Sequence, residues 1–100
     1  MRYSNPPRAF DVTRSDGREL TIYVSGRNRW MLEQMLRDGP RGTTSAECAP
    51  GLRLSGYVHS LRNMGVEIET LMEEHHGTFP GYHGRYFLRC KVVPLKGGAA

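Results

Sequence analysis

Apolar and polar residues alternate along Ala9-Phe10-Asp11-Val12-Thr13, and again along Leu20-Thr21-Ile22-Tyr23-Val24. A period of two puts the apolar members of each run on one face of a strand. The intervening Arg14-Ser15-Asp16-Gly17-Arg18 contains an Asp-Gly pair, in which Gly supplies a positive φ cheaply. A β-hairpin is predicted. From Ser25 or Gly26 the period changes: Met31, Leu32, Met35 and Leu36 recur at helical spacing, and no breaker intervenes before Asp38-Gly39-Pro40. This predicts a first helix through Arg37. Thr43-Thr44-Ser45-Ala46-Glu47-Cys48 reads as a cap and a short second helix cut off by Pro50-Gly51. A third helix is predicted over 52–64, closed by Gly65 as a left-handed cap, with Leu54, Val58 and Leu61 on one face. Val66–Leu71 and Tyr86–Val92 read as strands flanking a long polar loop over 73–84.

The predicted class is α+β: a winged helix-turn-helix with an N-terminal hairpin, three helices and a C-terminal hairpin over 66–92 as the wing. The domain is expected over 9–94, with a loose leader at 1–8 and a frayed tail at 95–100. A short helix, a turn and a second helix would leave the third helix standing proud of the body, able to enter a DNA major groove and read base edges. The polar face of that helix carries Arg53, Ser55, Gly56, His59, Ser60 and Asn63, with Arg62 on its flank and Tyr57 at the other border.

The stretch from Arg53 to Thr70, with its Leu61-Arg62-x-x-Gly65 and Val66-x-Ile68 pattern, resembles the third helix and first wing strand of small bacterial and prophage helix-turn-helix domain proteins. Gly26–Glu33 followed by Gly39–Thr43 is similar to the first-helix region of the same group. The resemblance spans about Gly26 to Val92. It implies a DNA-binding regulator, often phage-associated, without catalysis.

Candidate contacts follow from chemistry. Arg53, near the helix start, can donate to guanine O6 and N7. His59 and Ser60 can donate to bases or phosphates, and the small Gly56 and Ser60 permit close approach. Asn63 sits late in the helix, where phosphate is the expected partner. Arg27, Asn28 and Arg29 open the first helix, where free amides and nearby guanidinium groups suit phosphate. Arg41 and Thr44 would grip the backbone similarly, and His83 and Arg85 would serve from the wing beside the repelling Glu73 and Glu74. A solvated helix face would also be polar, so an interaction module that docks a host or phage protein is the second reading.

Composition changes little. The net charge of +4 allows attraction to phosphate without requiring it. Twelve of the 14 basic residues are Arg, which suits phosphate and guanine but is equally what a GC-rich coding sequence yields (the 12 excludes only Lys91 and Lys96). The two cysteines, Cys48 and Cys90, are too few for a disulfide scaffold, which points to a reduced, cytoplasmic setting. No apolar run approaches a membrane span. The four histidines and two cysteines lack Cys-x-x-Cys or His-Glu-x-x-His spacing, and adjacent His75 and His76 would point to opposite faces of a strand, so neither metal nor cofactor is expected. No reactive constellation argues for an enzyme. A homodimer would add a second half-site, with the first hairpin offering an edge for pairing.

Overall fold

A computed structural model describes residues 5–48, 52–76 and 81–95. Both alternating runs at the start become strands, β1 (Arg8–Thr13) and β2 (Glu19–Val24), antiparallel with Phe10 opposite Ile22 and Val12 opposite Leu20. The Asp-Gly turn between them closes with a bond from the Arg14 amide to the Arg18 carbonyl at 2.7 Å. Helix α1 covers Gly26–Asp38, burying Met31, Leu32 and Met35. Gly39–Arg41 form a 3-10 turn beyond it, with Pro40 unable to continue the helix.

The expected short second helix is absent. Thr43–Thr44 are instead a two-residue strand, β3, followed by a 3-10 turn at Ser45–Glu47. Two adjacent β-branched threonines favour extended backbone, and a later strand, β5 (Gly81–Leu88), supplies the partner, with Thr43 opposite Tyr86 and Thr44 opposite Arg85. The described residues therefore hold two α-helices and six strands rather than three helices. The Pro50-Gly51 break lies outside the described residues. Helix α2 covers Leu54–Met64, two residues shorter at its start than the predicted 52–64, with Arg53 as N-cap; Leu54, Val58 and Leu61 are buried, and Gly65 ends it at a φ of 110°.

The region expected to be a loop is mostly strand. β4 (Ile68–His75) and β5 (Gly81–Leu88) form a long antiparallel hairpin whose register runs from Ile68 opposite Leu88 out to His75 opposite Gly81. Residues 77–80 of the expected loop lie outside the described residues. The predicted strand at Tyr86–Val92 is two strands. After β5 the chain breaks at Arg89 and Cys90, and β6 (Lys91–Pro94) pairs with β1. The Cys90 thiol marks the break, accepting a hydrogen bond from the Glu67 amide at 3.3 Å.

Two three-stranded sheets result, ordered β2-β1-β6 and β3-β5-β4. Between the first sheet and the helices lies one core: Phe10, Val12, Ile22 and Val24 from the strands, Met31, Leu32 and Met35 from α1, Leu54, Val58 and Leu61 from α2, with Val66, Ile68 and Val92. Within the stretch expected to be a leader, Asn5 exchanges bonds with Gly26: its Nδ2 donates to the Gly26 carbonyl at 2.9 Å and its carbonyl accepts from the Gly26 amide at 2.7 Å. Residues 1–4 and 96–100, the remainder of the expected leader and tail, lie outside the described residues. Among the described residues, no helix is long and apolar enough to cross a membrane.

Candidate nucleic-acid interface

Burial of Leu54, Val58 and Leu61 turns the opposite side of α2 outward, so Arg53, Ser55, Gly56, His59, Arg62 and Asn63 are exposed and Tyr57 and Ser60 are half-buried. The first turn of α1 lies alongside. Arg27 donates from Nη1 to the Tyr57 hydroxyl at 3.3 Å. Arg27, Asn28, Arg53, Gly56, Tyr57 and Ser60 line one open cleft of about 530 Å³ between the two helices. Every lining residue was singled out by the sequence. Arg53 stands at the N-terminal end of α2, and its side chain makes no hydrogen bond or ion pair among the described residues. Further along α2, Asn63 Nδ2 and His59 Nε2 lie 3.3 Å apart on the exposed side.

Two other arginines of the expected contact set have different work. Arg29 donates to Glu33 at 3.1 Å and to the Pro6 carbonyl at 2.8 Å, and Glu33 also binds Arg8 at 2.6 Å. Those two guanidinium partners hold the Glu33 carboxyl below the usual range against the opposing effect of burial. Arg62 reaches from α2 to the wing, donating to the Ile68 carbonyl at 3.1 and 2.7 Å and to Thr70 Oγ1 at 3.0 Å. Arg29 is thus a staple for the N-terminal segment, and Arg62 is a strut between α2 and β4.

Arg41, His83 and Arg85 gather at the root of the wing, away from the cleft lining. Arg85 donates to Glu73 at 2.9 Å, lies 3.3 Å from Glu47, and donates to the Arg41 carbonyl at 3.1 Å. Arg41 itself binds Glu47 at 2.6 Å, and His83 Nε2 lies 2.8 Å from Glu73. Bonds from Arg85 first and His83 second depress the Glu73 carboxyl to about 2, and the same carboxylates raise Arg85 above its ordinary value. The carboxylates neutralise Arg41 and Arg85, so these two arginines offer phosphate less than unpaired guanidinium groups would. Glu47 and Glu73 were not foreseen as partners. They are distant from Arg85 in sequence, and no local spacing signals such a pair.

Thr44 requires a correction. It was expected on the surface as a phosphate ligand, yet it is 0% exposed, held inside by its ladder to Arg85. Its Oγ1 has no hydrogen-bond partner among the described residues. A buried hydroxyl without a partner carries a desolvation cost, and an isosteric methyl does not. Thr44→Val is therefore expected to raise stability by about 1 kcal/mol, read as an upward shift of the urea midpoint at unchanged slope.

The other face of the wing is not basic. Alternation along the register puts Thr70, Met72 and Glu74 on one face with Tyr82, Gly84 and Tyr86. Met72 is 65% and Tyr82 68% exposed.

Two packed helices, a cleft at the head of α2 and a two-stranded wing together define the fold, and the comparison with known families agrees. A family model described as a winged helix domain matches residues 21–98. The chain belongs to that family. No curated protein and no solved structure matches it. Membership in the winged helix domain family suggests DNA binding in general. The match begins within β2, so it takes in both helices, the wing and β6 but not β1. This winged helix domain thus carries, as the central strand of its first sheet, a segment outside the matched region.

Proposed function

We propose that this winged helix domain is a sequence-specific double-stranded DNA-binding protein, a transcriptional regulator of bacterial or prophage type, that lays α2 in the major groove. The observation that carries the reading is Arg53: exposed, without a side-chain partner among the described residues, and set at the leading end of α2 in a cleft shared with Arg27, Asn28, Tyr57 and Ser60. A guanidinium left unpaired at the start of a helix is placed to form a bidentate contact with guanine. Gly56 adds support. It is the third residue of α2, a position where alanine favours helix over glycine, and nothing lies within 4 Å of where its Cβ would stand. Internal packing does not require the glycine, whereas a close-lying duplex would. Arg27 and Asn28 would meet the phosphate backbone. The activity is binding, with no catalytic step and no cofactor.

The test is a fluorescence-anisotropy titration against a random-sequence duplex at several salt concentrations, followed by selection of a preferred site. The expected result is a steep log–log salt slope, since each phosphate contact releases counterions. Arg53→Ala should then cost about 1–3 kcal/mol on the selected site and relax preference at one position. Unchanged affinity and preference in Arg53→Ala would remove Arg53 from the interface, and no binding at low salt would remove DNA as the ligand.

One observation favours a second reading, a protein-docking module that engages a host or phage protein. The distal wing pairs exposed Met72 and Tyr82 with Glu74 on one face, which suits a protein surface better than phosphate. A stoichiometric partner retained in pull-downs, with no DNA binding at any salt, would decide for it.

A further inference from the structure

The strands at the sheet edges are not alike. β6 carries Lys91 and Pro94, and β4 carries Glu69, Glu73 and Glu74. Charges and proline are the residues that keep an edge strand from adding to another sheet. β2 has Glu19 at its start and then Leu20-Thr21-Ile22-Tyr23-Val24, with no Lys, Arg or Pro within the strand. It is the outer strand of the sheet ordered β2-β1-β6, and Tyr23, 71% exposed, lies on its solvent face.

The hydrogen-bonding pattern shows which groups of β2 are free. Arg14 and Arg18 form a bonded pair at the hairpin turn. An antiparallel ladder alternates bonded and non-bonded pairs, so Leu20, Ile22 and Val24 direct their amides and carbonyls toward β1. Glu19, Thr21 and Tyr23 therefore direct theirs outward. The opposite side of β1 obeys the same alternation: the Ala9 carbonyl, across from Tyr23, accepts from the Leu95 amide at 2.9 Å beside β6.

We propose that β2 pairs antiparallel with β2 of a second copy of this chain, joining two β2-β1-β6 sheets into one continuous sheet. The occupant follows from self-complementarity. With the two-fold axis at Thr21, each outward residue meets another: Glu19 faces the partner's Tyr23, Tyr23 faces the partner's Glu19, and Thr21 faces its own copy. All outward amides of β2 are then used, no like charges stand opposite one another, and the aromatic ring of Tyr23 covers the Glu19 stem across the seam. An axis perpendicular to the sheet keeps each protomer's core face on the same side, so the two α2 helices also lie on one side of the joint sheet. The pairing does not depend on DNA and stands or falls separately from the DNA reading.

The experiment is sedimentation equilibrium of the full chain from micromolar to millimolar concentration, with backbone amide exchange followed by NMR over the same range. The expected result is a mass rising toward twice that of the chain. The amides of Glu19, Thr21 and Tyr23 should slow by about tenfold or more with concentration, while those of Lys91 and Val93 do not change. Thr21→Lys, which sets two ammonium groups opposite each other at the axis, should restore monomer and fast exchange; Thr21→Val, uncharged and extended-prone, should keep the dimer. A monomer at millimolar concentration with fast exchange at the three amides overturns the proposal. So does a dimer that leaves them unprotected or survives Thr21→Lys.

Discussion

Replacing Phe10 with alanine should cost the domain about 3–5 kcal/mol, the range for removing a fully buried aromatic side chain. Phe10 is 0% exposed and sits in the middle of β1, opposite Ile22 on one side and Pro94 on the other. It belongs to the core that joins Val12 and Val24 to Met31, Leu32 and Leu61. The Arg8 guanidinium lies 5.5 Å from its ring centroid, adding a cation–π contact that alanine would also lose. Domains of this size hold about 5–15 kcal/mol in total, so the variant would lose a large share of its margin. The result bears on the evolution of the fold as well as its stability. β1 lies outside the matched region of the family, and a cost of this size would show that the domain depends on it. Urea denaturation measures the change, with Val93→Ala, at a site 41% exposed on β6, as the control expected within about 0.5 kcal/mol of wild type. A loss below about 1 kcal/mol in Phe10→Ala would make β1 an accessory strand.

Gly42→Ala should be nearly as costly for a different reason. Gly42 has a φ of 76° and a ψ of 172°, a backbone region that essentially only glycine occupies. It also lies against the wing. A Cβ there would stand 2.7 Å from a Phe87 ring carbon and 2.9 Å from Arg85 Cγ. Backbone strain contributes about 1–3 kcal/mol and overpacking a further ~1–3 kcal/mol. The ring of Phe87 is itself covered by Arg89, whose guanidinium carbon lies 4.9 Å from the ring centroid, so it cannot swing aside without breaking that contact. The loss should appear first at the wing root: amides of Thr43, Arg85 and Tyr86 should lose exchange protection before those of α1. Uniform loss across the domain, or none, would show that Gly42 does not hold the wing in place.

The elements legible in the sequence were those whose signals are local. The Asp16-Gly17 turn between two alternating runs predicted the first hairpin, and Met31, Leu32 and Met35 predicted the buried side of α1. Leu54, Val58 and Leu61 oriented α2 correctly, and from that orientation came Arg53, Gly56, Tyr57 and Ser60 of the cleft, while Arg27 and Asn28 came from the start of α1. The misreadings lie where a distant partner decides. Thr43–Thr44 looked like a helix cap because the strand that claims them, β5, comes far later in the chain. Glu73, Glu74, Tyr82 and His83 looked like a loop because apolar alternation marks only strands with one dry face, and a wing wet on both faces gives no such signal. The break at Arg89–Cys90 was hidden by continuous alternation across two strands that belong to different sheets. The arginines show the same limit. Arg53 and Arg62 lie on one helix and are both exposed, but only Arg62 has the Ile68 carbonyl and Thr70 within reach.

The Arg62 strut has a mechanical meaning. It ties the last turn of α2 to the first residues of β4, while Arg85 ties the wing to Arg41 and Glu47 in the segment before α2. Helix and wing are thereby braced into a single stiff caliper, with its opening set before any ligand arrives. A duplex gripped by such a caliper must supply the compliance itself. Base steps that kink or narrow easily would then be favoured even where no side chain touches them, and the preferred site would be written partly in the elasticity of the DNA.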